Sequence, residues 1–533
     1  MSQAKKTGEL SLAVTEKSAR SGDTTETDWG NKVVAGGVAV HEEIQPNSVE
    51  DVPTSAENGF KAKLRQLKGK LGIEEIGIER VPEDKRKQEG MYRIAMLWMS
   101  ANLTAPTMAI GAAGIPTFRL GFVDAALVIV LVNIVGIMPV CLFSALGARF
   151  GLRQMVLSRF YFGYYFGKFA AVLNIITLIG WTVLNVLVAA QIIHALNSNI
   201  PAWASIVITS AIALVVALIG HTVLHVFETW AVVPCLVAFL TLLGAFASSQ
   251  KFEGLLPLAA GQAESNAIFS FATAIYGATS GWCLCAADYL VYQPANRPTS
   301  SIYYSTFFSL AFPIIFTQLL GLTIMTPYSD DPAFRSAYDT GGFGAVLAHV
   351  LLPLGVWGKF CLVLFALTIV AINSPPIYSV SFSLQLISRH TERISRYLWP
   401  IITTVLYVAI AIIAYVHFAT WLGNFLVIFG YWVAIYQTIA YCEHYLYLRG
   451  ERGYRPDDYQ DATMLPKGWA ALAGTAAGVF GTVLGMVTAF WIGPVAKALG
   501  GVDVGMLMAF LLGGVTFIGI RGWERGKWPG DMP

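Results

Sequence analysis

The sequence predicts an all-α integral membrane protein with about twelve transmembrane helices, and three observations carry that expectation. Hydrophobic residues make up 55% of the 533-residue chain and charged residues only 13%, well below the roughly one quarter of a soluble domain. Apolar stretches of roughly twenty residues, long enough to cross the hydrocarbon of a bilayer, recur from about residue 91 onward. Two of them, the first and the sixth, are broken near the middle by small residues and proline. The first reads Asn102-Leu-Thr-Ala-Pro106-Thr-Met-Ala-Ile-Gly111-Ala-Ala-Gly114-Ile-Pro116 and the sixth Tyr276-Gly277-Ala-Thr-Ser280-Gly281-Trp282. A broken helix frees backbone N–H and C=O groups that hydrocarbon cannot satisfy, so it persists only where protein or a polar cavity receives them. Breaks at matching places in two halves mark a substrate site.

Taken in order, residues 1–90 are rich in Lys, Glu, Ser, Thr and Gly, with too little apolar surface to offset the cost of ordering the chain. They read as a mostly disordered cytosolic tail, within which the Lys/Arg spacing from Phe60 to Arg80 suggests an amphipathic surface helix. No apolar core follows Lys5-Lys6, which argues against a cleavable signal peptide. The spans centre near Thr104, Leu131, Leu184, Ile212, Ala238, Ala278, Phe312, Ile369, Leu406, Gly430, Gly481 and Leu511. Gly344 to Ser388 is too long for one span, and Pro353 and Gly355 predict a short external helix or hairpin before the eighth. The expected divisions are 91–445 for spans one to ten, 446–520 for a loop and spans eleven and twelve, and 521–533 for a cytosolic C-terminal tail.

With both termini inside, the inner loops hold Arg149, Arg153, Arg159, Lys168, Arg297, Arg389, Arg393, Arg396, Arg449, Arg452, Arg455, Lys467, Arg521, Arg525 and Lys527. The outer loops hold far fewer cations, Arg119, Lys251, Arg335, Lys359 and Lys497, as the positive-inside rule requires. The net charge of +2 gives no reason to propose a nucleic-acid partner. All six cysteines fall within expected spans, so neither a disulfide framework nor a metal site is indicated, and Cys283-x-Cys285 has the wrong spacing for a zinc knuckle. The triplet Asn102-Leu103-Thr104 matches a glycosylation acceptor but lies inside the first span.

The candidate recognition residues are Trp181 and Asn185, four apart and so on one face of span three, Trp282 beside the break in span six, and Asn373-Ser374-Pro375-Pro376 in span eight. Two indoles offer flat faces for stacking on a ring, and two amides each offer a donor and an acceptor for its edge. The set suits a planar, neutral, nitrogen-rich heterocycle. Taken singly, each residue has a plainer role: Trp as an interfacial anchor, midspan Asn as a bond to a neighbouring helix, Pro375-Pro376 as a kink. Their joint occurrence on spans three, six and eight favours the site.

Three motifs carry a resemblance: Gly77-Ile-Glu79-Arg80-Val81-Pro82-Glu83-Asp84-Lys85-Arg86, the break at Trp282 followed by Ala286-Ala287-Asp288-Tyr289, and Asn373-x-Pro375 followed by Ile377-Tyr378-Ser379. Together they resemble the fungal purine-cytosine permeases of the nucleobase-cation symporter family, over nearly all of the chain after the tail. The resemblance implies a LeuT-type fold, with spans one to five and six to ten as inverted repeats and two further C-terminal helices. It implies that Trp181 and Trp282 sandwich the base, that Asn185 and Asn373 bond its edge, and that Thr107 and the backbone near Ala105 and Gly281 complete the pocket. One position departs: many cytosine and purine carriers of this group have Asn after the span-eight proline, where this chain has Pro376. That change opens the alternative of vitamin B6 (pyridoxine) or another heterocycle.

Proton symport is the expected coupling. A sodium site would draw on carbonyls of span one and hydroxyls of span eight, where only Thr368 precedes Asn373, and a hard cation wants several oxygens. Glu228 and Asp288 are the candidate proton carriers, with Asp124 and Glu443 nearer the interfaces. His194, His221 and His225 sit near span ends, where loop or packing roles are expected. The implied function is import of cytosine or purine bases (adenine, guanine, hypoxanthine) across the plasma membrane, with the lipid bilayer and the small-molecule base as partners. The tail lysines are candidate sites for ubiquitin-dependent turnover. A channel would need a repeated filter motif and an enzyme a clustered catalytic set; neither is present in the sequence. A non-transporting nutrient sensor of the same fold stays open.

Overall fold

The computed structural model describes residues 76–87, 90–254, 261–395, 397–415 and 418–527, residue 220 excepted. Its helices are α1 (Met91–Asn102), α2 (Ala105–Ala112), α3 (Phe122–Phe150), α4 (Gln154–Phe162), α5 (Phe166–Leu196), α6 (Ala202–Ile219) and α7 (His221–Ser248). They continue as α8 (Gln262–Ser280), α9 (Ala286–Leu290), α10 (Thr299–Ile324), α11 (Pro332–Leu351), α12 (Val356–Ile387), α13 (Arg389–Arg393) and α14 (Leu398–Ala414). The last are α15 (Phe418–Tyr441), α16 (Trp469–Gly485), α17 (Pro494–Ala498) and α18 (Gly505–Lys527). Among the described residues eight helices are long and apolar enough to cross a membrane, and α6, α14 and α16 are shorter apolar helices. With the divided pair α1 and α2 they account for the expected apolar segments, and α11 with the 3-10 turn Leu352–Leu354 is the connection expected before span eight.

Both interruptions exist, but not at the glycines. Span one breaks at Leu103 and Thr104, where Thr104 turns extended (φ −139°, ψ 153°), caps α2 by accepting the Thr107 N–H at 3.3 Å, and precedes Pro106 in its first turn. The freed Ala105 N–H donates to Thr368 Oγ1 on α12 at 3.1 Å. Span six stays helical through Gly281 (φ −55°, ψ −29°), tightens to a 3-10 turn over Gly281–Leu284, and breaks at Cys285 (φ −141°, ψ −1°). The glycines serve close contacts instead: a Cβ on Gly111 would lie 2.0 Å from the Gln318 carbonyl of α10, and one on Gly321 2.0 Å from the Met108 carbonyl of α2. Small residues of this kind let backbones approach in a membrane, where apolar side chains gain little by leaving lipid.

The tail boundary needs correction. Residues 76–87 were expected within a disordered segment, yet Val81 and Arg86 are buried. The Val81 N–H donates to the Gly151 carbonyl at 2.9 Å, and Arg86 Nη2 donates to the Phe150 carbonyl at 2.9 Å. Gly151 (φ +66°) ends α3, and any side chain there would meet the guanidinium of Arg86. A helix C-terminus with unpaired carbonyls is what a guanidinium satisfies, a long-range match that composition does not reveal. Residues 60–75 of the expected amphipathic helix, and the rest of the tail, lie outside the described residues.

At the other end of the chain, α18 continues past residue 521 to Lys527. Arg521, expected in a solvated tail, is buried and forms a two-pronged pair with Glu443 at 2.9 and 2.8 Å. Glu524 accepts the N–H groups of Gly468, Trp469 and Ala470 at the start of α16. Spans ten, eleven and twelve are thereby tied together, with Glu443 a buried partner in the ion pair.

Two outcomes follow from this packing. Gly111→Ala forces α2 from α10 and lowers the melting temperature of the detergent-purified protein by an overpacking cost of about 1–3 kcal/mol, whereas Gly244→Ala, with nothing within 4 Å of its Cβ, leaves it unchanged or raised. Arg521→Ala strands two buried carboxylates, costs about 3–5 kcal/mol, and sharply reduces the folded fraction seen by size-exclusion chromatography.

Candidate functional site

A cavity lies where the two interrupted spans meet spans three, seven and eight, lined by Asn102, Thr107, Trp181, Asn185, Gly281, Trp282, Gln318 and Pro376 among others. Five of the six residues expected to bind substrate, Thr107, Trp181, Asn185, Gly281 and Trp282, come together on its wall.

The indoles are held from behind. Trp181 stands edge-on to Phe425 of α15 at 5.6 Å, and Trp282 edge-on to Trp98 of α1 at 5.7 Å. Trp282 Nε1 donates to Asn102 Oδ1 at 3.0 Å, and Asn102 Nδ2 donates to the Trp98 carbonyl at 3.0 Å. A Cβ on Gly281 would sit in ordinary contact, 3.4 Å from Trp181 Nε1, so span six packs directly beside the span-three indole. Each indole has an edge contact to a neighbouring ring, and the Trp282 N–H is committed to Asn102.

Asn373 differs from its expected role. It is fully buried, and its amide is spent on protein: Nδ2 donates to the Thr182 carbonyl at 3.1 Å, and Oδ1 accepts from Asn185 Nδ2 at 2.9 Å. A carbonyl only accepts, so Thr182 fixes the Asn373 amide and through it the Asn185 amide, leaving Asn185 Oδ1 as the acceptor at the cavity. Pro376, read as a missing amide, is itself part of the wall.

Sequence reasoning missed Asn102, Asn133, Thr279 and Gln318. Asn133 of α3 is fully buried, donates to the Ile129 carbonyl and to Gln318 Oε1, each at 2.7 Å, and accepts from the Thr279 hydroxyl. The signal was available, since Asn133 and Gln318 are single amides in aliphatic runs, as Asn185 is. Asn102 abuts the break but was set aside with the glycosylation-like triplet.

Of the proton-carrier candidates, Asp288 on α9 is buried with both carboxylate oxygens occupied. Oδ1 accepts the Gln154 N–H at the start of α4 at 2.8 Å and Oδ2 accepts the Ser379 hydroxyl of α12 at 2.6 Å. Arg153 donates to the Asp288 carbonyl at 2.6 Å and to the Tyr378 hydroxyl at 2.9 Å, with its guanidinium 4.0 Å from the Phe382 ring centroid. Asp124, in the first turn of α3, has one buried carboxylate oxygen without a partner among the described residues. The side chains of Glu228, His221 and His225 lie outside the described residues. His194 bonds the Ile200 carbonyl at 3.0 Å, a loop contact. Thr368 Oγ1, the one hydroxyl available for a sodium site, donates to the Phe365 carbonyl at 2.6 Å and accepts from Ala105.

The fold has solved counterparts. Mhp1, a nucleobase-cation-symport-1 family transporter, in a closed conformation with bromovinylhydantoin bound, matches with a TM-score of 0.66 at 15% identity, over 86% of this chain and 97% of that one. Its inward-facing conformation matches with a TM-score of 0.63 at 16% identity. At such identities the likeness bears on fold alone, and the fold is the expected LeuT-type arrangement. Among curated proteins, the purine-cytosine permease fcyB of Emericella nidulans is 41% identical over 464 residues, 87% of this chain and 91% of its own length. The vitamin B6 transporter TPN1 of Saccharomyces cerevisiae is 29% identical over 86% of this chain and 88% of its own length. A family model described as permease for cytosine/purines, uracil, thiamine, allantoin matches residues 80–513, and on that match the chain, a multi-pass membrane protein, belongs to this permease family.

Proposed function

We propose that the protein is a secondary active transporter that imports cytosine and purine bases across the plasma membrane by proton symport, with both termini in the cytosol. One observation carries the substrate class: two braced indoles and an oriented amide of Asn185 line the same cavity. A planar base stacks on indole faces and presents donors to an acceptor at its edge. The likeness to purine-cytosine permeases supports the same substrates.

Entry of the base between Trp181 and Trp282 favours closure of the outer side, and the first, second, sixth and seventh spans then rock against the rest to open the inner side. Coupling requires that the loaded protein crosses more readily than one carrying a single partner. Proton coupling is favoured over sodium because Thr368 is already engaged on both sides by protein. Protonation of Asp288, joined to α4 and α12, would loosen those contacts, with Asp124 and Glu228 as further candidate acids. The positively charged loops expected inside support the orientation. Pyridoxine is the second reading, favoured by Pro376 on the cavity wall and by the likeness to a vitamin B6 transporter.

The test is uptake of radiolabelled cytosine, adenine and pyridoxine by cells lacking their own carriers, at external pH 5 and pH 8. Saturable nucleobase uptake that falls at the higher pH is expected, lost in Trp282→Ala. Asn373→Ala, which releases the Asn185 amide, is expected to raise the half-saturation concentration about tenfold or more, as loss of an orienting buried hydrogen bond does. Pyridoxine uptake alone would move the protein to the vitamin reading. Binding without flux would make it a sensor, and silence for all three at normal surface expression would overturn the transport reading.

A further inference from the structure

Gln318 of α10 is 1% exposed, yet it lines the cavity. Asn133 orients it. The Ile129 carbonyl can only accept, so Asn133 must turn its Nδ2 toward both that carbonyl and Gln318 Oε1, and the Thr279 hydroxyl fills Asn133 Oδ1. This fixes the Gln318 amide with its oxygen on Asn133 and its Nε2 directed the other way. Among the described residues Nε2 has no protein partner. The backbone under it is fixed as well, since α2 presents Gly111 to the Gln318 carbonyl at a separation that admits no side chain. An amide N–H fixed in one orientation on the cavity wall and free of protein partners among the described residues is open to an acceptor carried by a ligand.

We propose that Gln318 is a specificity-determining donor of the substrate site: its Nε2 donates to an sp² acceptor on the base, O2 in the case of cytosine. This rests on the nucleobase-transport reading and adds to it. Two relays anchored on backbone carbonyls, Thr182–Asn373–Asn185 and Ile129–Asn133–Gln318, then present the cavity with one fixed acceptor and one fixed donor. A ligand lacking an acceptor at the Gln318 edge leaves Nε2 unpaired, and one with an N–H there meets donor against donor.

The test uses the intact protein in cells lacking their own carriers, with labelled cytosine uptake competed by unlabelled cytosine and by 2,4-diaminopyrimidine, in which an amino group replaces the O2 carbonyl. Wild type is expected to prefer cytosine by about ten- to a hundredfold. Gln318→Glu keeps the acceptor for Asn133 and removes the donor, so the preference should shrink at least tenfold. A variant in which both ligands weaken equally, or neither changes, would overturn the assignment while leaving the transport reading intact. No nucleobase uptake by wild type would overturn that reading and this one with it. Asn133→Ala, which touches no substrate but frees the Gln318 amide to turn, is expected to reduce the same preference. If Gln318→Glu fails to reach the surface, an unchanged ratio in Asn133→Ala overturns the proposal.

Discussion

The freed Ala105 N–H and the Thr368 hydroxyl that accepts it, 3.1 Å apart, are the contact on which the substrate cavity depends. An interrupted helix inside a membrane has backbone groups that lipid cannot satisfy, and every unpaired one costs kilocalories. Here α12 supplies the partner, and Thr104 supplies another by capping α2. The break in span one can therefore persist as a gap between two helix ends rather than closing into a continuous helix. That gap, facing the irregular turn at Cys285 in span six, is where the cavity opens.

The same saturation rule organises the amides. Asn373, Asn133 and Asn102 each place a donor on a backbone carbonyl, of Thr182, Ile129 and Trp98 respectively. Asn373 and Asn102 then accept at their oxygens from Asn185 and Trp282, while Asn133 gives its second N–H to Gln318. In a medium of low dielectric a fully connected network holds its members in one orientation. A ligand meeting such a wall loses little free energy to ordering it, which is the physical content of preorganisation.

Around this centre the molecule divides its contacts by strength. Glycine-mediated approaches bring α2 against α10, α8 against α15, and α16 against α18. The buried Glu443–Arg521 pair and the Glu524 cap fasten the last three spans. The Asp288 contacts to Gln154 and Ser379, by contrast, are hydrogen bonds between elements that the proposed rocking motion would separate. A handful of polar contacts can be exchanged at modest cost, whereas interlocked backbones and a buried ion pair cannot. The segment around Val81 and Arg86 closes the end of α3, so the motif before the first span belongs to the membrane-domain structure itself.

Hydrophobic composition and span length by themselves determined the membrane class, the approximate spans and the existence of two interrupted helices, because burial in lipid acts on local sequence. The cavity-wall residues Trp181, Trp282 and Asn185 were legible for a related reason: polar and aromatic groups in an aliphatic run are conspicuous. What only the tertiary structure decided was which partner each polar group finds. Asn373 proved to be spent on Asn185 and Thr182, Gln318 was brought to the cavity by a span with no visible motif, and Arg521 and Arg86 were drawn out of presumed solvent into buried contacts. Hydrogen bonds between residues some two hundred positions apart depend on how helices cross. That crossing is set by the close glycine contacts of the whole bundle, which no local stretch of sequence contains.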